Sequence, residues 1–382
     1  MRFIVGMLGL AFICFTAANR AAQNGANWNK QAVWHDSSPH KIQFITVDRD
    51  VKLEVLDWGG SGRPLVLLSG LGNTAHVFDD FAPKLTDQYH VYGITRRGFG
   101  ASSAPVPANQ NYSADRLGDD VLAVLDALQL DRPVLVGHSI AGEELSSVAT
   151  RHHERVAGLI YLDAGFSYAY YDRSAGSANM TIDLVTLQRE LGKLQNPPFP
   201  RPLIDELLNE DMPAVESDLH EAQKAPPNEA VLGAQPPGAT DADKESFTSF
   251  CSWWVRARGF AMPESELREL FESTPEGHVG RPRNNPAIAQ AVNAGVQKYT
   301  DIRVPVLAVF ALPPDPGPFV DSATRATIEA RALETIGAQV NAFEKGLPSA
   351  RVVRLAHANH YVFLSNEMEV LREIRTFASG LP

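Results

Sequence analysis

The strongest constraint on this chain is a series of short, continuous apolar runs separated by stretches with helical spacing. "PLVLLS", "HVYGIT", "PVLVG" and "AGLIYLDA" start at residues 64, 90, 133 and 157. A run without alternation suits a strand covered on both faces, as in a parallel sheet flanked by helices. "HVFDDFAPKL" and "SADRLGDDVLAVLDAL" lie between them and read as helices, the second with Ser113 as its N-cap. Ahead of them, "KIQFITV" and "VKLEVLDW" alternate around Asp48-Arg49-Asp50 and predict an antiparallel pair. Strand alternating with helix defines an α/β protein with a mostly parallel central sheet and right-handed crossovers.

The rhythm stops after Asp163. Residues 165–300 show no convincing strand but several amphipathic stretches, including "TIDLVTLQRELGKL" and "DKESFTSFCSWWVRARG", with Pro-rich joints between them. In the first stretch Ile182, Val185, Leu187, Leu191 and Leu194 form the expected apolar stripe. The β-α pattern then resumes with "VPVLAVFAL", a helix from about Ala323 to Lys345, the strand "ARVVRLA" and a closing helix. One α/β unit, 19–164 and 301–382, is thus interrupted by a helical insertion, 165–300.

At the end of the third run, "VLVGHSIAGEELS" places Ser139 between small residues, where a strand turns sharply into a helix. A serine hydroxyl needs a base to take its proton and a third group to orient that base. "LLSGLGNTAHVF" follows an earlier strand, "AHANHYVFLS" follows the last one, and "GITRRGFGASSAP" follows the second run. Together these motifs resemble the cap-bearing serine α/β-hydrolases, from about Lys41 to Ala164 and again from about Asp301 onward. Ala141 departs from the family's G-x-S-x-G, and Ser69 stands where His is usual.

The resemblance implies a nucleophile elbow at Ser139 and a base in the last loop, His360, with His357 as its competitor. It also implies an oxyanion hole from the backbone N–H groups of Leu71 and Ile140. For the acid it points to Asp315, in the Pro-rich loop after the strand that follows the insertion, with Asp163 as the alternative. Arg96 and Arg97 are expected to be structural, and His138 to pack. Glu143 and Glu144 would complement the helix dipole. Phe166, Tyr168, Tyr170 and Tyr171 lead from the sheet edge into the insertion and are candidates for the pocket mouth. The His357–His360 spacing shows no third ligand, so no metal is expected, and the chemistry needs no cofactor.

The net charge of -11 disfavours nucleic acid and anionic membranes as partners. Residues 1–18 read as a signal peptide, since Arg2 precedes an apolar run shorter than the roughly 20 residues of a membrane span. No stable membrane insertion is expected after its removal. Only Cys14 and Cys251 are present, so the mature chain would carry one thiol and no internal disulfide. The expectation is a periplasmic or secreted hydrolase that cleaves a small carboxylic ester, bulky or aromatic, through an acyl-enzyme. Thioester, lactone or carbon–carbon bond hydrolysis and acyl transfer use the same constellation. A binding protein on this fold, non-catalytic or slowly hydrolysing, is the alternative class. Serine rather than aspartate at the elbow argues against epoxide hydrolases and haloalkane dehalogenases.

Overall fold

The computed structural model describes residues 34–108, 110–195, 197–224 and 236–382. The signal-peptide expectation lies outside them. Ser37–Pro382 form one compact unit, and everything below concerns it.

Ten strands are present among the described residues: β1 (Lys41–Asp48), β2 (Val51–Gly59), β3 (Pro64–Leu68), β4 (His90–Ile94), β5 (Val134–His138), β6 (Gly158–Leu162), β7 (Phe271–Ser273), β8 (Val279–Pro282), β9 (Val306–Ala311) and β10 (Ala350–Leu355). Eight of them form one sheet in the order β1-β2-β4-β3-β5-β6-β9-β10. β1 and β2 pair antiparallel, as do β2 and β4, and all the remaining pairs are parallel. Every residue of β5, β6 and β9 is buried, which explains why their sequences do not alternate.

Within those strands the side chains still alternate between the two faces. Leu135, Leu159 and Tyr161 enter the core on one face of the sheet. Val134, Val136, Ile160 and Leu162 enter the core on the other. Each fully buried aliphatic side chain contributes about 1.5–3 kcal/mol. The helix Ala114–Ala127 packs on the helix Gly142–Arg151, and Ser113 caps the former by accepting from Arg116 N at 3.4 Å. The strand order reverses around β3 and β5, so their carboxyl ends open the crevice where this kind of sheet binds ligands.

Three local expectations are corrected. "HVFDDFAPKL" forms two 3-10 turns, Ala75–Phe78 and Ala82–Leu85, instead of a helix, with Pro83 in the first turn of the second. Proline has no N–H to donate and restricts the residue before it, which ends any helix arriving from the N-terminal side. The stretch between β6 and β9 is mainly helical but includes the β7–β8 hairpin, whose three- and four-residue strands are too short for a period to register. In the helix Met180–Lys193 the buried side chains are Ile182, Asp183, Thr186 and Glu190, while Leu191 is exposed. Asp183 is drawn inward by Lys298 Nζ at 2.6 Å, and Glu190 is paired with Lys193 Nζ at 2.5 Å.

Among the described residues no helix is long and apolar enough to cross a membrane.

Candidate active site

Ser139 follows β5 with φ at 55°, in the left-handed region that a non-glycine residue adopts only where its surroundings enforce it. The enforcement is steric. A methyl group on Gly137 would meet Leu145 Cδ1 at 2.5 Å and Ala141 Cβ at 3.2 Å. One on Gly142 would meet the Ala164 carbonyl oxygen at 2.1 Å. Ala141 is therefore accommodated because Gly137 faces it, while Gly142 lets the helix close on the loop after β6. That loop begins with Asp163, whose φ is also positive, 47°.

Asp163 and His360 meet. His360 Nδ1 lies 2.7 Å from Asp163 Oδ2, and Asp163 Oδ1 accepts from Ala311 N at 3.0 Å. The Asp163 N–H donates to Val309 O at 2.7 Å, so this residue is pinned to the end of β9 by both backbone and side chain. With Nδ1 donating to the carboxylate, the His360 lone pair is on Nε2, which is buried and has no hydrogen-bond partner among the described residues.

The structure does not bring Asp315 to His360. Asp315 Oδ1 accepts from Arg325 Nη1 at 2.7 Å and from Gly317 N at 3.0 Å, and its own N–H donates to Ala358 O at 2.8 Å. The Pro-rich loop runs beside the His360 loop, through the bridge of Pro314 to Ala358, and turns the Asp315 carboxylate to the long helix Ser322–Gly346. The expectation for the acid is corrected accordingly: the carboxylate on His360 is that of Asp163. His357 points elsewhere, pairing with Glu329 at 3.2 Å with its side chain exposed.

His138 does more than fill space. Its Nε2 lies 3.1 Å from the His360 carbonyl oxygen and its ring is 4.7 Å from that of His360. Burial lowers its basicity well below the ordinary value, with nearby His360 acting in the same direction. A neutral ring donating through Nε2 supports the His360 loop.

The loop carrying Leu71 lies directly on the elbow, since a methyl on Gly70 would be 2.8 Å from His138 Nδ1 and 3.2 Å from Ser139 Cβ. The Leu71 N–H has no acceptor among the described residues. Arg96 braces the loop from the core, donating to Ser69 O at 2.9 Å and Gly70 O at 3.2 Å while paired with Glu144 at 2.6 Å. Glu144 therefore acts as a buried counterion here, beyond its place at the helix dipole. Arg97 pairs with Asp120 at 2.5 Å, a structural role. Neither the Arg96–Glu144 contact nor the support from His138 has a local sequence signal. Each joins segments far apart in the chain.

The aromatic candidates divide. Tyr168 is buried near Ser139, Asp163 and Glu143, and its hydroxyl has no hydrogen-bond partner among the described residues; burial, then the two acids, push its ionisation well above the usual range, with Ser139 opposing. Phe166 is partly exposed, tilted against Tyr168 and edge-on to Phe310. Tyr170 sits against Phe343 and over Gly346, where a methyl would be 2.0 Å from its hydroxyl oxygen, so it seats the long helix. Tyr171 donates to Asp183 at 3.2 Å beneath Lys298. Glu143 is fully buried with neither carboxyl oxygen partnered among the described residues, and burial, then Glu144, raises its pKa well above normal. A cavity of about 110 Å³ opens between Arg258, the Asp315–Phe319 turn and Asn359, and neither Ser139 nor His360 lines it.

A sheet of this order with a serine elbow at β5 and a carboxylate–imidazole pair beyond it defines the class, and comparison with known proteins agrees. Residues 63–183 match the model of the alpha/beta hydrolase fold family. A fluoroacetate dehalogenase from Burkholderia sp is 34% identical over 116 residues, 30% of this chain and 38% of that protein. A 2-hydroxymuconate semialdehyde hydrolase from Pseudomonas sp. (strain CF600) is 30% identical over 145 residues, 35% of this chain and 50% of that protein. These matches span at most half the length of either relative. Among solved structures, E-2-(acetamidomethylene)succinate hydrolase aligns with a TM-score of 0.55 at 17% identity, over 89% of this chain and 100% of that one. The chain has the α/β-hydrolase fold, and its residues 63–183 match that fold family.

Proposed function

We propose that the protein is a serine hydrolase that cleaves a carboxylic ester through Ser139, His360 and Asp163. The observation that carries this reading is the 2.7 Å contact between His360 and Asp163, which leaves Nε2 as the basic nitrogen of a ring 4.7 Å from that of His138, the residue before Ser139. In the first step Ser139 Oγ attacks the ester carbonyl carbon while His360 Nε2 takes its proton. The imidazolium that forms is stabilised by Asp163, which stays ionised. The N–H groups of Leu71 and Ile140 receive the oxyanion. Collapse of the tetrahedral intermediate expels the alcohol, protonated by His360, and leaves an acyl group on Ser139. Water activated by the same imidazole releases the acid and restores the serine.

A hydroxyl at the elbow suits an acyl-enzyme route, whereas haloalkane and epoxide substrates would call for a carboxylate there. Phe166, partly exposed and packed against the core beside Tyr168, offers apolar surface to a bulky or aromatic group.

The test is a panel of p-nitrophenyl esters of varied acyl chain, assayed for wild type and Ser139→Ala, with a fluorophosphonate probe alongside. Wild type should hydrolyse part of the panel and be labelled at Ser139 alone. Burst-phase acyl release retained by Ser139→Ala would overturn the mechanism.

A further inference from the structure

We infer that Glu266, in the segment inserted between β6 and β9, is a positioning residue for the oxyanion hole, clamping the loop that carries Leu71. The inference rests on the proposed role of the Leu71 N–H.

Glu266 belongs to the short helix Glu264–Leu270 and is completely buried. Its Oε1 accepts from Asn73 Nδ2 at 2.7 Å and from Thr74 N at 3.1 Å, and its Oε2 accepts from Thr74 Oγ1 at 2.5 Å. All three donors lie two or three residues beyond Leu71, in the same turn, which closes with Asn73 N donating to Gly70 O at 3.2 Å. A buried carboxylate with three donors is a costly arrangement to break, because each donor left behind would be unsatisfied away from water.

The clamp is opposed by a second one. Arg96 holds the carbonyls of Ser69 and Gly70 from the core side, so the loop is gripped on one flank by a cation and on the other by an anion. Asn73 also accepts from Tyr361 Oη at 2.9 Å, which ties the same loop to the residue after His360. Neighbouring Ser265 donates to Asp79 at 2.6 Å and fixes the helix that presents Glu266. Seating of the inserted segment is thereby coupled to the position of the Leu71 N–H. Hydrogen-bond donors at an oxyanion act only within a few tenths of an ångström of their proper place.

The clamp responds to pH. Burial pushes the Glu266 carboxyl up to about 7, opposed by the hydrogen bonds from Thr74 and Asn73 and by nearby His76. The groups facing it are Asn73 and Thr74 from the loop, His76 from the following 3-10 turn, and Tyr361, itself near Arg258. His76 is in turn held by Asp79 at 2.8 Å and lies 3.7 Å from Glu54. When ionised, Glu266 accepts all three hydrogen bonds; when neutral, one oxygen carries a proton and accepts less well. Glutamine reproduces the neutral form at every pH.

The experiment compares full-length wild type, Glu266→Ala and Glu266→Gln in p-nitrophenyl butyrate hydrolysis and in fluorophosphonate labelling. Glu266→Ala should lower kcat by about tenfold or more with KM within about twofold, and slow Ser139 labelling in step. Glu266→Gln should match wild type near pH 6 and fall progressively behind it up to about pH 8. A kcat for folded Glu266→Ala within about twofold of wild type would overturn the inference. So would a Glu266→Gln pH profile that superimposes on wild type, and that arm decides alone should the alanine variant not fold. Wild type that neither hydrolyses the ester nor labels at Ser139 would instead remove the serine-hydrolase reading on which the inference stands.

Discussion

Asp163 Oδ2 lies 2.7 Å from His360 Nδ1 although 197 residues separate the two. The contact arises because β6 and β9 are adjacent and parallel, and the Asp163 carboxylate bonds to Ala311 N at the end of β9. The His360 loop, which follows β10, crosses the same edge and is held there by His138.

The pair predicts which carboxylate matters for turnover. Asp163→Asn should keep the fold and reduce kcat by up to about 10⁴, since His360 would be held in the wrong tautomer. Asp315→Asn loosens only a partly exposed pair with Arg325, worth about 0.2–1 kcal/mol, and should leave kcat within a few fold. Steady-state kinetics of the two variants decide, and a larger loss in Asp315→Asn would contradict the assignment.

Gly142 offers a packing test. A methyl there would sit 2.1 Å from the backbone oxygen of Ala164, which cannot swing aside as a side chain can. Gly142→Ala should cost about 1–3 kcal/mol and lower kcat, because Ala164 adjoins Asp163. Gly192, helical with nothing within 4 Å of an added methyl, is the control. Gly192→Ala should raise stability by roughly 0.5–1 kcal/mol with kcat unchanged. Urea denaturation and initial rates report both.

The buried Arg96–Glu144 pair should behave asymmetrically. Arg96→Met strands the Glu144 carboxylate and two loop carbonyls, at a cost of about 3–5 kcal/mol. Adding Glu144→Leu removes the orphaned charge, so the double variant should be more stable than Arg96→Met alone. Both should be labelled more slowly by a fluorophosphonate, since the Leu71 loop loses its core-side brace. Equal stability of single and double variants would argue against the pair.

Glu266 gives stability a pH signature. Its folded pKa of about 7 lies above the ordinary 4.5, so between those values the folded state holds a proton that the unfolded chain releases. Stability is then fully present below about pH 4.5 and falls as pH rises through 7, by up to about 3 kcal/mol from this group. Glu266→Gln lacks the ionisation, so wild type minus variant stability should decline with pH across that window in urea melts. A flat difference would show that the carboxyl is not raised.

The sheet was legible in the sequence because its signal is local. A run such as Val134–Val136 is apolar throughout for a reason that each residue carries itself, burial on both faces. Ser113 as an N-cap and Gly137 before the elbow are equally local, each answering to atoms within a few residues. The 3-10 turns at Ala75 and Ala82 and the polar inner face of Met180–Lys193 were less legible. A proline and a distant lysine there outweigh the periodicity.

What the chain could determine alone was the order of strands and helices, and the ends at which Ser139 and His360 would appear. Asp163 and Asp315 each follow a central strand, and nothing in either neighbourhood distinguishes them. Only the folded chain decides, by placing Arg325 beside one carboxylate and His360 beside the other. The grip of Arg96, Glu144 and Glu266 on the Leu71 loop likewise joins separate segments. Such contacts are set by strand adjacency and by the need to satisfy buried charge, neither of which is written in any one stretch of sequence.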